Sequence, residues 1–131
     1  MVQANEAQGQ TQSAEFERDQ GRDLIASSRV EGTPVFDPGG EQIGKIDHFM
    51  VGKRNGRVEY AVMTSGGIFG FGQELRAVPW EALDYDTDLG GYHLSIGKEQ
   101  LKQAPSYERE FEPSWDEIYG QEIYRYYGYP Y

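Results

Sequence analysis

Asp84, Asp86 and Asp88 in "DYDTDLGG" alternate in the way the first carboxylates of a calcium loop do. An EF-hand places ligands at positions 1, 3 and 5, then a glycine at 6 and a bidentate glutamate at 12. Here those last two positions are Leu89 and Ser95. The match ends after three residues, and a solvated acidic loop accounts for them equally well. A second candidate is "SGGIFGFGQELRAVPW", Ser65 to Trp80, with four glycines between Gly66 and Gly72. A phosphate-cradling loop needs lysine and a hydroxyl after its last glycine. Gln73 and Glu74 follow instead, and a glutamate there repels phosphate. Gly70 and Gly72 begin a dinucleotide-type pattern that Leu75 breaks. The segment reads as a wide turn between two strands.

The nucleophile and metal chemistries are equally bare. His48 and His93 each stand alone, without Cys, His or carboxylate at ligand spacing, and no G-x-S-x-G elbow occurs. The chain has no cysteine, which removes thiolates, disulfides and Cys-based zinc sites together. No catalytic residue and no cofactor is expected. One basic cluster exists, "KRNGR". A two-residue turn at Asn55-Gly56 would set Arg54 opposite Arg57, and facing like charges destabilise a hairpin. An anion or an acidic partner would relieve that; a solvated tip is the plainer account.

The residues that stand out most are aromatic. Residues 106–131, "SYEREFEPSWDEIYGQEIYRYYGYPY", contain nine of the chain's 18 Phe, Trp and Tyr. Ser114 and Glu117 have capping-box spacing. A helix starting there would align Trp115, Ile118, Tyr119, Ile123, Tyr126 and Tyr127 on one stripe, with Gly120 weakening it. Such a stripe is expected to cover an apolar surface of its own domain, of a second copy or of another protein.

Around these candidates the chain must supply a scaffold. Residues 1–23 are polar and Gln-rich and are expected to be disordered. From Thr33 come short strand segments with turn chemistry between them: "TPVFD", then "QIGKIDHFMVGKR" with a bulge or bend at Gly44, then "VEYAVMT". "LRAVPW" and "YHLSI" complete five strands, with "DYDTDLGG" read as a loop and "GKEQLKQAP" as a short helix. Five strands at this spacing predict a mainly β fold, a small closed or partly closed barrel.

The formal charge is −10, from 12 basic and 22 acidic residues. Residues 1–23 hold five acids and two arginines, and residues 108–131 hold six acids and two arginines, so the ends carry most of the excess. Such a chain is repelled by phosphate backbones, which argues against direct nucleic-acid binding. No apolar run approaches the roughly 20 residues of a membrane span, and no leader is read. A soluble, cytoplasmic protein is expected.

"LIASSRVEGTPVFDPGGEQIGKIDHFMV", "GRVEYAVMTSGGIFGFGQELRAVPWEAL" and "YHLSIGKEQLKQAPSY" together resemble the PRC-barrel domain in order and spacing. The tail "SWDEIYGQEIYRYYGYPY" looks like the Trp- and Tyr-rich ends of stand-alone bacterial PRC-barrel proteins. This domain also occurs in the photosynthetic reaction centre H subunit and in the C-terminal half of a ribosome maturation factor. The resemblance covers residues 24–107 and implies a six-stranded, mostly antiparallel barrel, one strand more than the five counted above, so that five to six strands are expected, with residues 108–131 as the helical tail read above. It further implies an adaptor or scaffold rather than an enzyme, self-associating as a homodimer or docking to another protein. An assembly factor that binds a basic ribosomal protein is the alternative, and a small-ligand binder the third reading.

Overall fold

The computed structural model describes residues 23–65 and 74–131. The polar N-terminal segment and the glycine loop from Gly66 to Gly72 lie outside the described residues.

Six strands form one sheet: β1 (Pro34–Phe36), β2 (Gln42–Val51), β3 (Val58–Thr64), β4 (Leu75–Pro79), β5 (Leu83–Asp86) and β6 (Gly91–Leu94). Their order across the sheet is β4-β3-β2-β1-β6-β5. Every pair is antiparallel except β1 with β6, which run parallel with Val35 opposite Tyr92. β4 and β5 are therefore the two edges, yet only the 3-10 turn Trp80–Ala82 separates them in sequence. A trans chain spans at most about 3.6 Å per residue, so the edges must come close at that corner. The sheet curls into a half-barrel for this reason. Short helices α1 (Ser27–Val30) and α2 (Lys98–Lys102) flank it, and α3 (Glu117–Tyr127) forms the tail.

The sixth strand is β5, made from the "DYD" of the expected acidic loop. Aspartate disfavours strands in isolation, but Leu83 opposite Leu94 and Tyr85 opposite Tyr92 supply the cross-strand packing that overrides it.

β2 stops at Val51, three residues short of the expected strand because Gly52 to Arg57 form the turn, and it is bent by local irregularities. Ile46 pairs with Met63 and His48 with Val62, leaving Asp47 as the bulged residue. Gly44 itself marks a close approach: a Cβ there would run into the Thr64 carbonyl oxygen of β3. A shift of register against β1, between Val35 and Phe36, sits beside it at Ile43. The hairpin from β2 to β3 is wider than a two-residue turn. Its closing bond is Gly52 N–H to the Arg57 carbonyl, and Asn55 uses its side-chain oxygen to accept the Arg57 N–H. Arg54 therefore does not face Arg57 across the strands, which corrects the expected juxtaposition.

The concave side holds Val35, Ile46, Ala61, Met63 and Val78, none more than 1% exposed. Phe49, Trp80 and Tyr92 line up beside them, with ring centroids at 6.4 Å and 5.6 Å. On β3 the alternation anticipated from "VEYAVMT" is present, but both phases are buried from Tyr60 to Met63. A second layer must cover the outer face there.

Candidate partner-binding surface

That second layer is the tail. Arg109 opens it by forking onto Asp47, at 3.0 and 3.3 Å, and this pairing together with His48 Nδ1 at 2.6 Å holds the Asp47 carboxyl below its usual range. Before it, Tyr107 exchanges two backbone hydrogen bonds of 2.9 Å with Leu75, covering part of the open edge of β4.

α3 starts later than its capping box suggests. The N-cap is Asp116, whose carboxylate accepts the Tyr119 N–H at 2.9 Å, so Ser114 lies outside the helix. Trp115, just before it, is held at φ 60°, the only positive φ of a non-glycine among the described residues. At the other end Gly128 takes φ 86°, with Gly128 N–H to Arg125 O and Tyr129 N–H to Tyr124 O. Those paired bonds are a Schellman stop.

The helix meets the barrel through a face offset from the expected stripe. The buried face is Gly120, Ile123, Tyr124 and Tyr127, at i, i+3, i+4 and i+7. Ile123 and Tyr127 are where the sequence places them. Tyr124 is added, and Ile118, 77% exposed, is not among the residues that cover the barrel. Gly120 does not simply weaken the helix, because the ring of Tyr131 lies where its side chain would be.

The tail and barrel meet through aromatics. Tyr60 on β3 has Trp115, Tyr124 and Tyr119 around it at centroid distances of 5.3, 5.7 and 6.4 Å. Trp115 also stands edge-on to Tyr107 and Tyr119, at 6.0 and 5.5 Å, and donates its indole N–H to Glu112 at 2.6 Å. Tilted and edge-to-face pairs of this kind add to the plain burial of the rings. Two hydroxyls anchor the helix to backbone: Tyr124 donates to Glu59 O at 2.9 Å and Tyr126 to Gln100 O at 2.6 Å. Burial pushes the Tyr60 and Tyr107 phenols up to about 12, and those of Tyr119, Tyr124 and Tyr127 higher still. Tyr60, Tyr107 and Glu59 were not singled out from sequence. Only the strand phase of Tyr60 hinted that it needed a cover.

Outside this interface the tail presents Phe111, 73% exposed in the 3-10 turn Arg109–Phe111, and Ile118 on the first turn of α3. Ile118, Pro105 and Tyr126 line a shallow groove whose other walls are Gln121, Glu122 and Arg125. Arg54 and Arg57 lie apart from it, in the β2–β3 loop.

The three aspartates do not gather round a common point. Asp86 Oδ1 accepts the N–H groups of Asp88 and Leu89, and its Oδ2 faces His93 Nε2 at 2.8 Å. Among the described residues no three carboxylates or imidazoles are grouped to hold a metal ion. In the same residues no helix is long and apolar enough to cross a membrane.

No curated protein matches this chain. Among solved structures it is similar to the 16S ribosomal RNA processing protein RimM of Pseudomonas aeruginosa, with 19% identity over 61% of this chain and a TM-score of 0.39. The likeness spans 48% of that protein's length. The family model of the PRC-barrel domain matches residues 22–101. With more than half its length matched to that model, the chain belongs to the PRC-barrel family.

Proposed function

We propose that the protein is a non-catalytic protein-interaction module whose docking surface is the outward side of its own tail. The observation that carries this is the exposure of Ile118 and Phe111, at 77% and 73%, on a segment already fixed to the barrel by its other side. Exposed large apolar side chains on a rigid support are what a partner buries, because little ordering entropy remains to oppose docking. Family membership supports an adaptor over an enzyme. The occupant is a second copy of the chain or another protein, and the compartment is the cytoplasm.

A role in ribosome assembly with a basic protein as partner is the second reading. The six acids against two arginines in residues 108–131 favour it.

Light scattering and native pull-down with the parent and with Ile118→Glu/Phe111→Ser test the proposal. The double variant should lose association while keeping its thermal midpoint, since both side chains are largely in water. Association unchanged by the double substitution rules this surface out.

A further inference from the structure

His93 lies on β6, away from the tail, with 28% of its side chain exposed. Its Nδ1 is 2.9 Å from the carbonyl oxygen of Asp37, and its Nε2 is 2.8 Å from Oδ2 of Asp86. A neutral imidazole has one donor and one acceptor nitrogen, whereas the imidazolium has two donors. A carbonyl oxygen can only accept, and an ionised carboxylate can only accept. Both hydrogen bonds therefore form together only when the ring carries two protons.

The two acceptors belong to different turns. Asp37 heads the turn between β1 and β2, closed by Gly40 N–H to Asp37 O at 2.9 Å. Asp86 heads the turn between β5 and β6, closed by Gly90 N–H to Asp86 O at 2.8 Å. We propose that His93 is a charged clamp that ties these two turns together, and that its deprotonation breaks this tie, leaving the β5–β6 turn joined to β1 only through the strand ladder. The device is a pH-sensitive latch at one end of the half-barrel.

The surroundings favour the charge. From β5, Asp86 and the more distant Asp84, directly opposite His93 in the ladder, are both acidic. From the β1–β2 turn only the Asp37 carbonyl reaches the ring; the Asp37 carboxylate is turned to the Glu41 N–H at 2.8 Å. Asp88, in the turn itself, is the remaining acid. The apolar neighbour is the Phe36 ring, at 6.0 Å. The Asp37 carbonyl first, and then Asp86, raise the His93 pKa above its ordinary 6.5 against a smaller effect of burial.

The sign follows from linkage. A raised folded-state pKa gives a contribution that is complete below about 6.5 and is lost as pH rises through the folded value. Asp86 is shifted down, first by His93, so its share is present above the ordinary carboxylate value and fades in acid. The latch is fully closed in the window between the two ordinary values and opens toward alkaline pH.

NMR of the ring nitrogens of the intact protein tests this. His93 should show two protonated nitrogens at pH 6, and its midpoint should exceed about 6.5. The Gly40 and Gly90 amide signals should titrate with that same midpoint. A single neutral tautomer at pH 6, or a midpoint at or below 6.5, overturns the proposal. Asp86→Asn supplies the second arm, because the amide oxygen still accepts the Asp88 and Leu89 N–H groups while its NH2 now suits a neutral Nε2. In that variant the His93 midpoint should fall and the shared titration of the two glycines should vanish. A midpoint unchanged by Asp86→Asn also overturns it.

Discussion

Tyr124 on the tail helix and Glu59 on β3, 65 residues apart, are joined by a 2.9 Å hydrogen bond from phenol to carbonyl. The bond crosses from the tail helix to the strand it covers, so it exists only when tail and barrel are docked. Tyr124→Phe removes it and leaves the ring packing with Tyr60 in place. Chemical denaturation should show a loss of about 0.5–1.5 kcal/mol, the ordinary worth of such a bond. Tyr124→Ala should lose about 3–5 kcal/mol, the range for emptying a buried aromatic site.

Trp115 combines a half-buried ring with a left-handed backbone. Trp115→Ala removes the contacts to Tyr60, Tyr107 and Tyr119, for an expected loss of about 1.5–3 kcal/mol. It keeps the φ of 60°, which costs an L residue about 1–2 kcal/mol. Trp115→Gly removes both the ring and the strain. The glycine variant should therefore be at least as stable as the alanine variant, although glycine ordinarily destabilises by about 0.5–1 kcal/mol. A clearly less stable glycine variant would mean that this backbone carries no strain.

Two glycines should respond oppositely to the same change. At Gly44 the added methyl group meets the Thr64 carbonyl, and that strand is paired on both sides and cannot yield. Gly44→Ala should cost about 1–3 kcal/mol, as overpacking does. At Gly120 the obstacle is the far end of Tyr131, a side chain 59% exposed that can turn aside at the cost of its edge contact with Tyr124. Gly120→Ala should raise stability by up to about 1 kcal/mol through helix propensity. Matched urea unfolding curves of the two variants check both signs.

How far the sequence reveals this molecule can be judged from these positions. Asn55-Gly56 marks the hairpin, and Gly56 does take a positive φ. The asparagine serves instead as a side-chain acceptor for Arg57, a choice that local propensity does not distinguish from a tighter turn. β5 is hidden because "DYD" has turn composition, and only its pairing with β6 makes it a strand. The tail helix is legible from its period, but its phase is not. Asp116 and Ser114 are both good caps two residues apart, and local sequence does not choose between them. Ile118 and Tyr124 exchange inside and outside because Tyr124 packs on Tyr60 and bonds to Glu59, contacts between distant residues that the period alone does not select. The clamp at His93 joins residues 56 apart to the ring, a distance that no local pattern encodes.

Alkaline pH should loosen the tail. A phenol whose folded pKa exceeds its ordinary 10 contributes stability that is whole below pH 10 and is lost as pH rises through the folded value. For Tyr60 and Tyr107 that value is about 12, set first by burial. The tyrosinate absorbance of these interface phenols should therefore appear only above pH 10. Tail contacts, followed through Trp115 fluorescence, should be lost between about pH 10 and 12. A single titration centred at 10 would contradict the buried aromatic interface.

The parallel seam between β1 and β6 bears on how the chain acquires this shape. Val35 meets its antiparallel neighbour Gly44 almost at once, but its parallel neighbour is Tyr92. A growing polypeptide can complete the β1–β2–β3–β4 meander while the far side of β1 has nothing to pair with. The outer wall at Tyr60 waits longer still, for residues 117–127. Contacts of such sequence separation form late and slow the whole reaction. Until residues 91–94 and 117–127 have been made, the nascent protein carries two uncovered flanks that only those segments close, and during that interval it is most exposed to mispairing.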